Sequence, residues 1–172
     1  RAREENAITK NPEYRAIQTA FQHGKYKEAI ERATKLEKKT RSLLSLAYIR
    51  NLKGLSYLAT RKPLPAIVQF QRALDYQPPE MIKPYLQYNL AAALTDAGQV
   101  DDALETLKEI RPESLNLETR AKFHSVSAKN LIAKGSWVEA ARETLKASKA
   151  AGPVLGLKAN YVELLDRSMS PI

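Results

Sequence analysis

The sequence predicts an all-α fold: a right-handed α-solenoid of about four helical hairpins on a 37-residue period, followed by a C-terminal capping helix. Three observations carry that expectation. Gly24, Gly98 and Gly135 stand on one 37-residue ladder whose remaining rung is Arg61. Each rung is followed five residues later by an alanine: Ala29, Ala66, Ala103 and Ala140. Apolar residues on both sides of the rungs recur at helical spacing and stop at prolines.

The elements follow in order. Residues 1–9 are polar and read as a flexible N-terminal segment, residues 10–151 as four helix-turn-helix repeats, and residues 152–172 as a capping helix and tail. The first repeat keeps Ala20, Gly24 and Ala29, with Tyr26 two residues beyond the turn. In the second, Leu46, Ile49, Leu52, Leu55 and Leu58 form a stripe at three-residue spacing, expected to be buried together. Arg61, Lys62, Pro63 and Pro65 then break the chain and allow a new helical start. Ala66, Ile67, Phe70, Ala73 and Leu74 supply the next apolar face, and Pro78 and Pro79 end it. The third repeat places Leu90, Ala91 and Leu94 before Gly98, and Ala103, Leu104, Leu107 and Ile110 before Pro112. The fourth sets Ala128 and Leu131 before Gly135, with Trp137, Ala140, Ala141, Leu145 and Ala147 after it. Leu155, Leu157, Leu164 and Leu165 continue the pattern into the capping segment.

The ladder has a mechanical reason. A turn between two helices needs a left-handed residue, which glycine adopts at low steric cost, and arginine at position 61 leads one to expect a different turn there. Alanine where two helices cross lets their axes approach to the usual 8–10 Å or so.

These residues resemble the tetratricopeptide-repeat family. The second repeat fits its pattern best, with Gly54, Tyr57, Ala66, Phe70, Ala73 and Pro78, and misses at Arg61. The resemblance covers about residues 10–148, with a period about three residues longer than the usual ~34. The extra length falls between repeats, around Pro78–Pro84 and Pro112–Leu117. In that family the first helix of each pair lines a concave groove. The resemblance therefore implies a partner-binding surface of Tyr14, Gln18, Tyr48, Asn51, Tyr85, Tyr88, Asn89, Lys122, Ser125 and Lys129. Four of the eight tyrosines fall there, and tyrosine gives large contact area with a hydroxyl handle. The competing reading is that these rings plug gaps between helices. One subset of the family grips a peptide's terminal carboxylate; Asn89 and Lys122 match it, whereas Asn51, Leu55 and Val126 do not.

Composition narrows the chemistry. The 172 residues contain no cysteine, so disulfides, thiolate nucleophiles and cysteine-bound metal are excluded. No run approaches the ~18 apolar residues of a membrane span. The net charge of +9 raises the question of nucleic acid or an anionic surface, but residues 96–118 are acidic, carrying Asp101, Asp102, Glu105, Glu109 and Glu113. His23 and His124 are the only histidines; the first belongs beside a turn and the second at a surface or boundary. Asp101 and Asp102 suit a helix start. No phosphate loop, zinc spacing or activated serine is present, so the expectation is a non-catalytic protein with no cofactor and no metal.

The expected function is a scaffold that holds a peptide or protein segment in a tyrosine-rich groove. Lys122 and Lys129 incline it towards an acidic partner. Two alternatives stay open: an RNA-binding helical array, disfavoured by the alanine and proline signature, and an architectural or self-associating spacer. With no leading methionine and no signal peptide the sequence reads as a processed chain or an excised segment, and the lack of cysteine inclines the reading slightly towards a module of a larger exported or envelope-associated bacterial protein over a cytosolic one. Oligomeric state is not encoded in any of these features.

Overall fold

The computed structural model describes residues 7–151, which are helical apart from short connections and contain no strand. After a helical turn at 7–10 come α1 (Pro12–Gln22), α2 (Tyr26–Lys39), α3 (Leu43–Ala59), α4 (Pro63–Asp75) and α5 (Lys83–Asp96). Then follow α6 (Val100–Lys108), a 3₁₀ turn (Pro112–Ser114), α7 (Leu117–Ala133) and α8 (Trp137–Ala151). The helical segments divide into two compact units, the first ending at Ala97 and the second beginning at Gly98. The expected capping helix, residues 152–172, lies outside the described residues.

The rungs of the ladder share one backbone conformation. Gly24, Arg61, Gly98 and Gly135 have φ of 72°, 59°, 75° and 76°. Arg61 therefore does not use a different turn, contrary to the sequence expectation. The hydrogen bonds explain why. Gly24 N–H donates to Phe21 C=O at 3.0 Å and Lys25 N–H to Ala20 C=O at 2.8 Å. The same pair of bonds recurs as Arg61 to Leu58 at 3.0 Å and Lys62 to Tyr57 at 2.9 Å. It recurs again as Gly135 to Ile132 at 2.9 Å and Ser136 to Leu131 at 2.8 Å. This is the Schellman closure, which satisfies the last carbonyls of a helix and requires a left-handed residue at that position. The bonding outweighs the side-chain preference of arginine.

Helix starts differ: three first helices carry side-chain caps, whereas the first helix α5 starts after Ile82 without one. Asn11, Ser42 and Asn116 cap α1, α3 and α7 through side-chain oxygens that accept from Glu13 N–H at 2.8 Å, Ser45 N–H at 3.3 Å and Thr119 N–H at 2.8 Å. The second helices α2, α4 and α6 have no side-chain cap. Their starting point is set by the left-handed turn itself, so a polar cap is unnecessary for register.

In the first unit each helix packs on the next from α1 to α5, and α3 also touches α1 and α5. Ile8, Tyr14, Ile17, Ala20, Ala29, Ala33, Leu36, Ile49 and Leu52 form one core cluster. Ile8 anchors the segment read as flexible from sequence, at least over the described residues 7–9. Gly54 lies against Phe70 so closely that any side chain at 54 would strike the ring. In the second unit α7 packs on α6, on α8 and on the 3₁₀ turn. Arg120 holds that turn by donating to the carbonyls of Pro112, Glu113 and Leu115 at 3.0, 3.3 and 3.0 Å. Ala29, Ala66, Ala103 and Ala140 are all fully buried, as expected of residues at crossing points.

Candidate functional site

The first helices of the hairpins in the first unit, α1, α3 and α5, carry seven of the ten residues marked from sequence. Tyr14 is a core residue at 4 % exposure, its ring edge-on to Tyr48 with centroids 6.2 Å apart. It supports Tyr48 from beneath and offers no ligand surface of its own. Gln18, Tyr48, Asn51, Tyr85, Tyr88 and Asn89 are partly exposed. Among them Asn89 Nδ2 donates to Asn51 Oδ1 at 2.8 Å, joining α5 to α3. That bond uses one donor and one acceptor, so the pair keeps the amide hydrogens of Asn51 and the carbonyl oxygen of Asn89 as further hydrogen-bonding capacity. The two asparagines are 38 residues apart, one more than the period, so they are neighbouring positions on adjacent helices rather than equivalent ones.

Burial shapes the chemistry of the tyrosines. It pushes the Tyr14 hydroxyl up to about 12, and it does the same to Tyr88, helped by the negative charge of Asp96. Both phenols remain protonated near neutrality, suiting them to apolar contact and hydrogen bonding rather than to proton abstraction.

In the second unit Lys122, Ser125 and Lys129 lie on α7. Lys122 pairs with Glu118 one turn away at 3.0 Å; Ser125 is partly buried; Lys129 is exposed. These three are described apart from the other seven, because they belong to a separate compact unit.

Two buried polar clusters escaped the sequence reading. In the first unit Glu37 of α2 forms ion pairs with Arg50 at 2.8 Å and Lys53 at 3.1 Å, both on α3, and accepts a hydrogen bond from Lys53. Arg50 also donates to Gln69 Oε1 at 2.8 Å and Tyr76 Oη at 2.9 Å, so one guanidinium ties α2, α3 and the C-terminal end of α4 together. In the second unit His124 is 7 % exposed, not a surface residue, and its Nδ1 lies 2.6 Å from Glu143 Oε2. Burial works against the charge on Glu143. Hydrogen bonds and positive charge from His124 and Lys146 outweigh it and hold the carboxyl below its usual pKa. A run of charged residues in sequence gives no hint of either cluster, since partners come from different helices.

Asp101 and Asp102 fall in the first turn of α6, and Asp101 forms an exposed ion pair with Lys134 at 2.8 Å. No group of three or more metal-ligating side chains occurs among the described residues, and no described helix is long and apolar enough to cross a membrane. The chain matches no protein-family model and no curated protein.

Proposed function

We propose that the chain is a tetratricopeptide-like helical-repeat scaffold that binds a peptide or protein segment along α1, α3 and α5 of its first unit, without catalysis. The observation that supports this most is the Asn51–Asn89 bond of 2.8 Å set among Tyr48, Tyr85 and Tyr88. A paired amide with a donor and an acceptor left over matches the donor and acceptor of one peptide group. The flanking rings supply contact area at low entropic cost. Charge is sparse on the two helices that carry the asparagines: α3 holds only Arg50 and Lys53, both tied to Glu37, and the only charged residues of α5, Lys83 and Asp96, stand at its two ends. The partner segment is accordingly uncharged where it meets the asparagines. The repeated left-handed turns and the fully buried alanines support continuation of the hairpin stack as a right-handed solenoid.

A photoreactive phenylalanine analogue at Tyr88, with a control at the exposed Glu105, tests the reading in native extract. Capture of a protein at 88 and not at 105 is expected. Capture of RNA at 88, or equal capture at both positions, would overturn it.

A further inference from the structure

The positive charge of this chain is concentrated. Residues 7–97 carry fifteen lysines and arginines against seven carboxylates, net +8, whereas residues 98–151 carry nine against eight, net +1. Within the first unit the cations that form no ion pair among the described residues avoid α3 and α5 and gather on the second helices and the turns. The densest group sits where two hairpin turns meet. The α1–α2 turn, with Lys25 and Lys27, and Thr60 at the end of α3 line one open cleft of about 550 Å³. Arg61 and Lys62 follow Thr60 directly, so four exposed cations converge on one edge of the unit.

The same edge exposes aliphatic surface. On the outward register positions of α2 stand Lys27 and Glu31; one period later on α4 the equivalent positions are Leu64 and Val68. Leu64 is 61 % exposed and Val68 42 %, and one helical turn separates them. We propose that this edge docks on an anionic lipid surface, with Lys25, Lys27, Arg61 and Lys62 at the headgroup phosphates and Leu64 and Val68 entering the acyl boundary. Cations beside exposed aliphatics are what an anionic bilayer rewards. A nucleic acid would reward the cations, gain nothing from leucine and valine, and call for a stacking ring. The ring that lines the cleft, Tyr26, is partly buried and edge-on to Phe21, centroids 5.5 Å apart. The carboxylates of the cleft temper the charge without cancelling it: Glu28 is taken by Arg32 at 3.2 Å, and Glu31 remains. Because this edge lies on the second helices, it is separate from the α1, α3 and α5 surface and does not depend on the binding role assigned there.

Flotation of the full chain with large unilamellar vesicles tests the proposal. The chain should bind vesicles of 30 mol-percent phosphatidylglycerol in phosphatidylcholine (roughly the anionic content that gives a strong surface potential) and not pure phosphatidylcholine, and it should release as salt rises. Lys25→Glu/Lys62→Glu should weaken partitioning by about thirtyfold or more, since each cation near such a surface contributes roughly a factor of five. Leu64→Ser/Val68→Ser should weaken it while leaving the salt dependence in place. Circular dichroism and thermal melting confirm that both exposed variants fold. Equal binding to both vesicle types, no binding, retention of binding by the charge variant, or indifference to the serine variant each overturns the proposal. So does preferential binding of a single-stranded RNA 20-mer over the vesicles.

Discussion

Gly54 sits in the middle of α3, where alanine would ordinarily strengthen a helix by about 1 kcal/mol. The packing in the first unit argues for the opposite sign. A Cβ at position 54 would lie 2.6 Å from Phe70 Cε1 and 2.7 Å from Cζ, nearly an ångström inside the usual carbon–carbon contact of about 3.5 Å. Phe70 is fully buried on α4 and has no solvent to retreat into. Forcing a methyl into such a contact costs about 2–3 kcal/mol, which exceeds the gain in helix propensity and leaves Gly54→Ala less stable by about 1–2 kcal/mol. Urea unfolding followed by circular dichroism reads this as a lower midpoint at unchanged slope. Phe70→Leu should cost less in the Gly54→Ala background than in the wild type, because the methyl then occupies space that the ring vacates. A favourable coupling of about 1 kcal/mol is expected from the cycle. Stabilisation by Gly54→Ala alone would refute the close approach of α3 and α4 at this crossing.

Four further outcomes follow from the geometry of the two units. Gly135→Ala should lose about 1–2 kcal/mol although a Cβ there meets nothing within 4 Å, because only the left-handed backbone opposes it. Arg61→Gly should gain about 0.5–1 kcal/mol in the same urea assay, the relief of that strain less the added freedom of the unfolded chain. Glu37→Gln should lose about 3 kcal/mol by leaving the buried cations of Arg50 and Lys53 without their counter-charge, while exposed Glu31→Gln stays within about 0.5 kcal/mol on thermal melting. For Glu143 the folded pKa lies below the unfolded value, so its contribution is complete above about 4.5 and disappears as pH falls through the folded pKa. The acid limb of the stability–pH curve should accordingly be shallower in Glu143→Gln, with the difference confined to that acid window.

The hairpin boundaries were legible because glycine, proline and alanine have narrow conformational uses. The ladder of Gly24, Gly98 and Gly135 marks left-handed turns, and the buried alanines mark crossings. Arg61 was misjudged because the sequence shows the side chain and not the two backbone hydrogen bonds that impose its conformation. The three-residue stripe from Leu46 to Leu58 was only partly right. Residues spaced by three drift about 60° per step from a helix face, so Ile49 and Leu52 are buried while Leu46, Leu55 and Leu58 are half-buried. The space is filled instead by Lys53, Gly54 and Ser56. At the proposed binding surface, the family resemblance marks Asn51 and Asn89 on first helices, but their mutual bond depends on a one-residue stagger between α3 and α5 that no spacing rule supplies. The expectation of a surface or boundary position for His124 misses its burial for a similar reason: its partner Glu143 belongs to the next helix.

The first unit thus presents an uncharged amide-and-tyrosine surface on one set of helices and a cationic edge on the other, and one measurement separates their roles. Peptides selected on the intact chain from a random display library would be titrated by calorimetry against the wild type, Asn51→Ala/Asn89→Ala and Lys25→Glu/Lys62→Glu. The account predicts at least about a tenfold loss of affinity for the asparagine variant, from two hydrogen bonds of about 1 kcal/mol each, and little change for the charge variant. Undiminished binding by the asparagine variant, or loss confined to the charge variant, would contradict it.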